Sequence, residues 1–356
     1  MGWQDVTRRS TGFLDEGGCG HEIDGREVRG LERQSNIQNV FVLAFKIFCR
    51  VVCFSVCLSL GTGSSMKNGQ QQTIPWGANA RLPLDMPPEW DIVGSMEPNE
   101  RPPVSDPDAA TREALAQPIG MQPLREVARS AKTVAIVVDD ISRPTPVHLM
   151  MPGIVAELTA GGVPETAITV VTALGTHRPM TSEEIGQKIG PEWEKRLRWE
   201  NHDYADPARN KRLGTTSRGT PVYVNATVAS ADLVLLVGLI EPHLIASFGG
   251  GYKNLIPGVA GAQTIAATHT LNLTRETFNM AGRPIESNPM RLDLEEGGKM
   301  LGKPVFIVNA ILDTSIRIVR VVTGDPIAAH REGARTSAEM CGVAIPQMAD
   351  LSLIHI

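Results

Sequence analysis

The sequence predicts an α/β protein organised around a parallel sheet. Three short, unbroken runs of branched apolar residues, at 133–138, 167–174 and 231–239, are typical of strands buried on both faces. The first two runs are each followed by a helical segment, the second of which opens with a capping box at 181–184. Strands that alternate with helices form parallel sheets with right-handed crossovers. We therefore expect the carboxyl ends of the three strands to meet at one edge of the sheet.

Capping and terminating residues set the helix boundaries. Residues 106–117 are predicted to be helical, because Ser105 or Asp106 can cap the segment at its start. The helix after the first strand is expected to end at Ala160, because the glycine pair 161–162 follows it.

The chain is predicted to contain one main domain and the beginning of another. Residues 66–290 form the N-terminal α/β domain, and 291–356 the incomplete start of a second α/β domain that is cut short. In that second part, 304–312 and 315–323 are predicted to pair as a hairpin, followed by a helix to about Met340.

Residues 1–65 differ from the rest and permit three interpretations. An apolar segment at 40–60 is long enough to span a bilayer, but Lys46 and Arg50 would each cost about 3 kcal/mol near its centre. The same segment fits a signal peptide, apart from the long polar sequence before it. We favour the third interpretation, in which the protein starts at Met66 and is cytoplasmic. Either of the first two would make it membrane-associated or exported.

Composition excludes several classes of protein. A net charge of -5 and a pI near 5.9 argue against a nucleic-acid binder, and an aromatic fraction of 4% argues against base-stacking surfaces. Cys341 is the one cysteine beyond residue 58, so the main body has no disulfide framework and no cysteine-based zinc site. A reducing compartment suits such a chain.

Polar residues follow each predicted strand. Asp140 and Arg143 come after the first, His177 after the second and His243 after the third. If the strand ends share an edge, these four side chains converge there. Each motif alone has a structural alternative: the first is also a plain strand-to-helix turn with Ser142 as the cap, and a lone histidine is more often structural.

The stretch from 240 to 269 combines glycines, an amine and two imidazoles. Three consecutive glycines permit positive φ and close backbone approach: Gly249, Gly250 and Gly251. Lys253 follows, but this is no phosphate P-loop, because Asn254 stands where a magnesium-binding hydroxyl is needed. The alternatives for Lys253 are a surface lysine or one committed to a covalent or phosphate contact. His269 lies sixteen residues further on and, without a partner at ligand spacing, would be a poor metal site by itself.

These pieces, in this order, resemble the nickel-pincer lactate racemase family. The resemblance covers about residues 66–346 and includes the ten-residue step from His243 to Lys253 and the sixteen-residue step to His269. Its motifs are Asp140-Ile-Ser-Arg143, Gly175-Thr-His177, Pro242-His243, Gly250-Gly-Tyr-Lys253 with Pro257-Gly258, and His269.

The resemblance implies a covalently held cofactor in residues 66–290. Lys253 would carry a nickel-pincer nucleotide (pyridinium-3-thioamide-5-thiocarboxylic acid mononucleotide) through a thioamide, beside the three glycines. The cofactor would give nickel three ligands and His269 the fourth, which removes the difficulty of a single histidine. Cofactor-maturation enzymes would be partners of the chain.

The same resemblance implies an isomerase that racemises a 2-hydroxy acid, with lactate the default substrate. Hydride would leave C2 and return to either face, with His177 and His243 as acid/bases. Arg143 would hold substrate or a neighbouring histidine, with Asp140 orienting nearby groups. Two departures matter: a serine is usual where this chain has Gly249, and further substrate contacts of the family come from the second domain. The alternatives are a racemase or epimerase of malate or a sugar acid, and an inactive cofactor-binding fragment.

Overall fold

The computed structural model describes residues 72–76, 80–84 and 96–344. The predictions for residues 1–65, including the apolar segment at 40–60, lie outside the described residues, as does the chain after 344. Within the described ranges, no helix has the length and apolar character needed to cross a membrane.

The strands are numbered in chain order. They are β1 (Gln72–Trp76), β2 (Ala80–Leu84), β3 (Val134–Asp139), β4 (Ile168–Ala173), β5 (Arg198–Asn201), β6 (Asn210–Thr215), β7 (Pro221–Asn225), β8 (Leu233–Leu239), β9 (Pro242–His243), β10 (Ser247–Phe248), β11 (Val305–Leu312) and β12 (Ile318–Gly324).

The helices are numbered in the same way. They are α1 (Pro107–Ala116), α2 (Leu124–Ala128), α3 (Val147–Ala160), α4 (Ser182–Ile189), α5 (Pro191–Arg196), α6 (Ala226–Ser230), α7 (Ala262–Asn272), α8 (Pro289–Lys299) and α9 (Ala328–Cys341).

A six-stranded sheet in the order β12-β11-β8-β3-β4-β5 forms the centre of the fold. The strands from β11 to β5 pair in parallel, and β12 is antiparallel to β11 at one edge. Asp139 lies opposite Ala173, and Val138 opposite Val237, so β3, β4 and β8 end at the same level. The predicted α/β fold with a mainly parallel sheet is confirmed.

Helices cover both faces of this sheet, which is why β3 and β8 are buried along their whole length. Side chains alternate between faces along a strand, and those of β3 divide accordingly. Ile136 packs into an apolar cluster with Ile154 of α3, whereas Val137 packs into a second cluster with Ile265 of α7 and Leu294 of α8.

Most helix signals in the sequence are confirmed. Asp106 caps α1 by accepting from the Ala109 N–H at 3.0 Å, and the capping box at 181–184 closes at the start of α4. One interpretation is wrong: α3 begins at Val147, and Ser142 does not cap it. The Ser142 hydroxyl is instead directed to the carboxylate of Asp140, 2.6 Å away.

The hairpin of β11 and β12 forms as predicted, but it does not begin a separate sheet. Its first strand pairs in parallel with β8 over six residues, from Val305 opposite Val234 to Ala310 opposite Leu239. The boundary predicted at residue 290 therefore does not separate two sheets in the part of the chain that the structure describes. A long apolar strand such as β11 satisfies its backbone better beside β8 than at a free edge.

Candidate active site

The site lies at the carboxyl edge of the sheet, just beyond β3, β4 and β8. Asp140 and Arg143 follow β3, His177 follows β4, and His243 lies four residues after the end of β8. A backbone hydrogen bond of 2.8 Å from the Gly175 N–H to the Gly258 carbonyl ties the segment after β4 to the segment after Lys253, and the Gly258 N–H in turn donates to the Lys253 carbonyl at 3.3 Å. The parallel topology thus gathers polar side chains that are far apart in sequence.

His177 is oriented by a carboxylate. Its Nδ1 lies 2.5 Å from Oδ2 of Asp140, which is buried, while the His177 ring is mostly exposed. Burial alone would raise the pKa of the Asp140 carboxyl, but hydrogen bonds from His177 and Ser142 hold it below its ordinary value. The charged carboxylate places the ring proton on Nδ1, so Nε2 is a free proton acceptor.

A buried ion pair supports the loop from 140 to 145. Nζ of Lys188 lies 2.7 Å from Oδ1 of Asp139 and donates at 2.8 Å to the carbonyl of Arg143. The Thr145 hydroxyl donates to the other oxygen of Asp139 at 2.5 Å. These contacts fix the backbone on which the side chains of Asp140 and Arg143 are mounted.

Arg143 makes an ion pair that sequence reasoning missed. Its Nη1 donates to Oε1 of Glu241 at 2.6 Å, across 98 residues of sequence. Among the described residues no other side chain pairs with Arg143, so part of the guanidinium remains free to bind an anion. Glu241 precedes Pro242 and His243. Its position just past a buried strand was the feature of the sequence that could have identified it as a site residue.

His243 has the opposite ring arrangement to His177. Its Nδ1 accepts hydrogen bonds from the N–H groups of Ile245 and Ala246, both at 3.2 Å. Burial, and then the charges of Lys253 and Arg143, lower its pKa well below the ordinary value. The neutral ring therefore carries its proton on Nε2 and presents a hydrogen-bond donor.

The glycine loop (residues 247–251) owes its glycines to contacts within the protein. Gly250 and Gly251 have φ of 71° and 59°. A Cβ on Gly250 would lie 2.8 Å from Oδ1 of Asn309, and one on Gly251 would lie 2.9 Å from the ring of His330. Gly249 is not in the positive-φ region, and a Cβ there would meet nothing closer than 3.4 Å. The expectation of a left-handed turn thus holds for the last two glycines only.

Lys253 lies in a tight turn at Gly251–Asn254 and is half-buried. Burial, and then the charges of Arg143 and Arg291, lower its pKa to about 7. Its amine makes no ion pair with the described carboxylates. A desolvated amine of this kind is partly neutral at pH 7 and is a competent nucleophile.

His269 presents one ring nitrogen free. On α7, its Nδ1 lies 2.7 Å from the carbonyl of Ile265, so Nδ1–H donates there and Nε2 carries no proton. Burial also lowers the pKa of this ring. A neutral imidazole fixed through its second nitrogen is the arrangement that metal-binding histidines adopt.

No group of three or more histidine, cysteine or carboxylate side chains in the described ranges could hold a metal ion by itself. His269 therefore fits a metal only where a bound cofactor contributes the remaining ligands. With the unpaired amine of Lys253, these residues fit a covalently held, metal-bearing cofactor.

Comparison with known proteins gives a family match and two curated relatives. The family description "Lactate racemase N-terminal domain" matches residues 78–281. A lactate racemase of Thermoanaerobacterium thermosaccharolyticum is 29% identical over 272 residues, 76% of this chain and 63% of the relative. A lactate racemase of Lactiplantibacillus plantarum is 31% identical over 230 residues, 65% of this chain and 54% of the relative. The chain thus spans less than two thirds of either relative.

Solved structures agree with the fold. The lactate racemase apoprotein from T. thermosaccharolyticum superposes with a TM-score of 0.68 at 28% identity, over 76% of this chain and 63% of that one. A Thermotoga maritima protein superposes with a TM-score of 0.57 at 22% identity, over 66% of this chain and 60% of that one. At that identity the second likeness concerns the fold alone.

Proposed function

This chain belongs to the family of the lactate racemase N-terminal domain, and on that premise we propose that it is an isomerase that racemises a 2-hydroxy acid, lactate first of all. The observation that carries the proposal is the pair of imidazoles with opposite ring arrangements, His177 and His243, which follow β4 and β8 at one edge of the sheet. The charge of Lys253 acts on the second of them. Such a pair can handle the hydroxyl proton of a small substrate from two sides.

Arg143 is the proposed binding group for the substrate carboxylate. Glu241 holds one nitrogen of its guanidinium. The remaining N–H groups can take a carboxylate in a charge-assisted contact, which fixes the orientation of the 2-hydroxy group. Glu241 also restricts the rotation of Arg143, so less freedom is lost when substrate binds.

His177 is the proposed base. Its unprotonated Nε2 can take the hydroxyl proton, and the Asp140 carboxylate stabilises the imidazolium that forms. His243 is the proposed acid/base for the opposite enantiomer. In the ring arrangement of the structure its Nε2–H donates a hydrogen bond to the substrate oxygen, and it gives up a proton only after it has been protonated. To accept a proton there, it must move its own proton to Nδ1 and break both backbone hydrogen bonds. The two directions of racemisation therefore make unequal demands on the protein.

Lys253, the glycines Gly249, Gly250 and Gly251, and His269 are the proposed cofactor site. Lys253 would form the covalent attachment of a nickel-pincer nucleotide, and Nε2 of His269 would bind the nickel. When bound, this group supplies the hydride acceptor for C2 of the substrate. The protein contributes a neutral amine, a fixed imidazole and a loop that a nucleotide can approach closely.

The proposed setting is a reducing one. Cys341 is an exposed free thiol in the described part of the chain, which fits the cytoplasm, where maturation enzymes would load the cofactor.

The test is to express the chain with cofactor-maturation enzymes and measure two quantities. Peptide mass spectrometry is expected to find an adduct on Lys253, and chiral chromatography is expected to find D-lactate formed from L-lactate. Lys253→Arg should abolish both. Racemisation by protein whose Lys253 is unmodified would contradict the proposal. Racemisation of malate or a sugar acid in place of lactate would identify the alternative substrate class, and an adduct without any racemisation would identify a cofactor-binding fragment.

A further inference from the structure

Three consecutive carbonyls of the glycine loop accept hydrogen bonds from the protein interior. The Arg291 guanidinium donates to the carbonyls of Phe248 and Gly250, the latter at 3.1 Å. Nε2 of His330 lies 2.8 Å from the carbonyl of Gly249. Two side chains from α8 and α9 thus hold one face of the loop.

Both side chains are fully buried. Arg291 and His330 are each 0% exposed. Arg291 makes no ion pair with the carboxylates in the described ranges, and the nearby Glu295 is engaged by Arg331 at 2.6 Å. Burial lowers the pKa of Arg291 to about 10, so it remains charged at pH 7. Carbonyl oxygens of the loop are what stabilise this buried cation.

The N–H groups of the loop are fixed from the other side. The Gly251 N–H donates to Oδ1 of Asn309 at 2.9 Å, and the Gly249 N–H donates to the carbonyl of Glu241 at 2.7 Å. Gly250 and Gly251 are therefore held in left-handed backbone conformations by contacts on both faces. Surroundings that determine a backbone so completely are typical of sites that need a fixed geometry.

Lys253 follows directly from this restrained backbone. Its N–H donates to the carbonyl of Gly250 at 3.2 Å, so any shift of the loop moves the lysine. We propose that Arg291 and His330 are positioning residues for Lys253: they hold the glycine loop so that the lysine amine lies in the site as a nucleophile toward an activated acyl group. The inference rests on the proposed function, in which Lys253 is the attachment residue.

Charge supports the geometry. After burial, Arg143 and then Arg291 are the groups that lower the pKa of Lys253 to about 7, while Glu241 and Asp140 oppose them. The charge of Lys253 in turn contributes to the lowered pKa of His243. Arg291 is thus both the anchor of the loop and a source of the field that favours the neutral amine.

Acetic anhydride provides a probe that needs no cofactor. Nζ of Lys253 attacks an acetyl carbon, a C–N bond forms, and the C–O bond of the anhydride breaks with its electron pair leaving on acetate. The proton lost by nitrogen passes to solvent. Because only the neutral amine reacts, the pH dependence of acetylation at Lys253, measured by peptide mass spectrometry on the unloaded full chain, reports its pKa.

We expect half-maximal labelling of the wild-type Lys253 at a pH of about 7. Arg291→Met should move the curve up by about 0.7 pH unit or more, which lowers labelling at pH 7 about threefold or more. Arg291→Lys retains the charge and should label within about a factor of two of wild type. The inference would be overturned if folded Arg291→Met gave the wild-type labelling curve. It would also be overturned if the labelling curve of Arg291→Lys were shifted as far as that of Arg291→Met.

His330 provides a second, independent pair of variants if Arg291→Met does not fold. His330→Gln keeps an N–H donor for the Gly249 carbonyl, whereas His330→Leu removes it. We expect hydrogen exchange at the amides of Gly249 and Gly251 to be about tenfold faster in the Leu variant than in the Gln variant, because the loop opens more readily. Equal exchange in the two variants would contradict the positioning role.

Arg320→Met is the control, since Arg320 ties β12 to Glu332 of α9 at 2.9 Å and touches no part of the glycine loop. It should leave the labelling curve of Lys253 unchanged, and exposed Lys132 serves as the internal reference in every sample.

Labelling uses unloaded protein, so the positioning inference and the proposed function can fail separately. If the matured protein racemises lactate but Arg291→Met leaves the labelling curve of Lys253 unchanged, only the positioning inference is contradicted. If Arg291→Met shifts the curve but the matured protein does not racemise lactate, only the proposed function is contradicted.

Discussion

Nδ1 of His177 lies 2.5 Å from Oδ2 of Asp140, although 37 residues separate the two in sequence. The contact joins the ends of two neighbouring parallel strands and fixes which nitrogen of the ring can take a proton. The proposed chemistry depends on this arrangement, because a base must present an unprotonated nitrogen to the substrate.

Asp140→Asn should lower the racemisation rate by about 100-fold or more, because the amide no longer stabilises the imidazolium of His177. Chiral analysis of lactate in initial-rate assays measures the change. Asp313→Asn is the control, since Asp313 is also a buried carboxylate but pairs with Arg317. Equal losses in the two variants would show that Asp140 serves the fold and not the base.

The two site histidines should show different ring tautomers. We expect Nδ1–H for His177 and Nε2–H for His243 in the unloaded protein at pH 7.5, because a carboxylate faces the first Nδ1 and two backbone N–H groups face the second. Nitrogen-15 NMR of the imidazole rings distinguishes the tautomers. Finding the same tautomer in both rings would refute the unequal roles proposed for them.

Arg143→Lys should raise KM for lactate about tenfold while kcat changes less, because a lysine cannot reproduce the planar fork that binds a carboxylate. Initial rates over a range of lactate concentrations separate the two constants. Arg178→Lys is a matched control, since this exposed arginine pairs with Glu184. A lower kcat at unchanged KM would place Arg143 in the chemical step and not in binding.

The three glycines should differ in their tolerance of a side chain. Gly249→Ser should change the free energy of unfolding by less than about 1 kcal/mol, because its φ is ordinary and its Cβ has room. Gly250→Ala should cost about 2 kcal/mol or more, since the left-handed backbone is strained and the Cβ meets Ile240. Urea denaturation measures both. Similar losses at the two positions would mean that the loop is not held as described.

Lys253 should weaken the fold at neutral and lower pH. Its pKa is lowered from 10.5 to about 7 on folding, so the folded state resists the proton that the unfolded state accepts. The penalty is complete below pH 7, declines between pH 7 and 10.5, and disappears above that. Lys253→Met should therefore raise Tm by a few degrees at pH 6.5 and hardly at all at pH 10.5. A gain independent of pH would indicate a packing effect.

The sequence predicted the parts of the site that depend on the strands being parallel and missed those that depend on side-chain contacts. Parallel strands imply a common carboxyl edge, which is why Asp140 and His177 could be expected together. The pairing of Arg143 with Glu241 depends on how two turns approach each other, and no periodicity encodes that. Arg291 and His330 bind backbone carbonyls, which every residue has, so their partners leave no pattern in the sequence.

For the fold, too, local patterns could be predicted from the sequence and tertiary contacts could not. Buried strands, and helices that end at a glycine, could be predicted from local sequence patterns. The helix that ends at Ala160 is an example. The β11–β12 hairpin was also visible, but not the sheet it joins. An apolar strand such as Val305–Leu312 fits any buried sheet, and its parallel pairing with β8 is decided by tertiary packing.

The most direct test uses L-lactate carrying deuterium at C2, incubated in ordinary water with the matured protein. The account predicts that the D-lactate formed retains the deuterium, because the C2 hydrogen leaves and returns as hydride while His177 and His243 handle only the hydroxyl proton. D-lactate that has exchanged its C2 deuterium for solvent hydrogen would contradict the account, since the histidines would then be removing a proton from carbon.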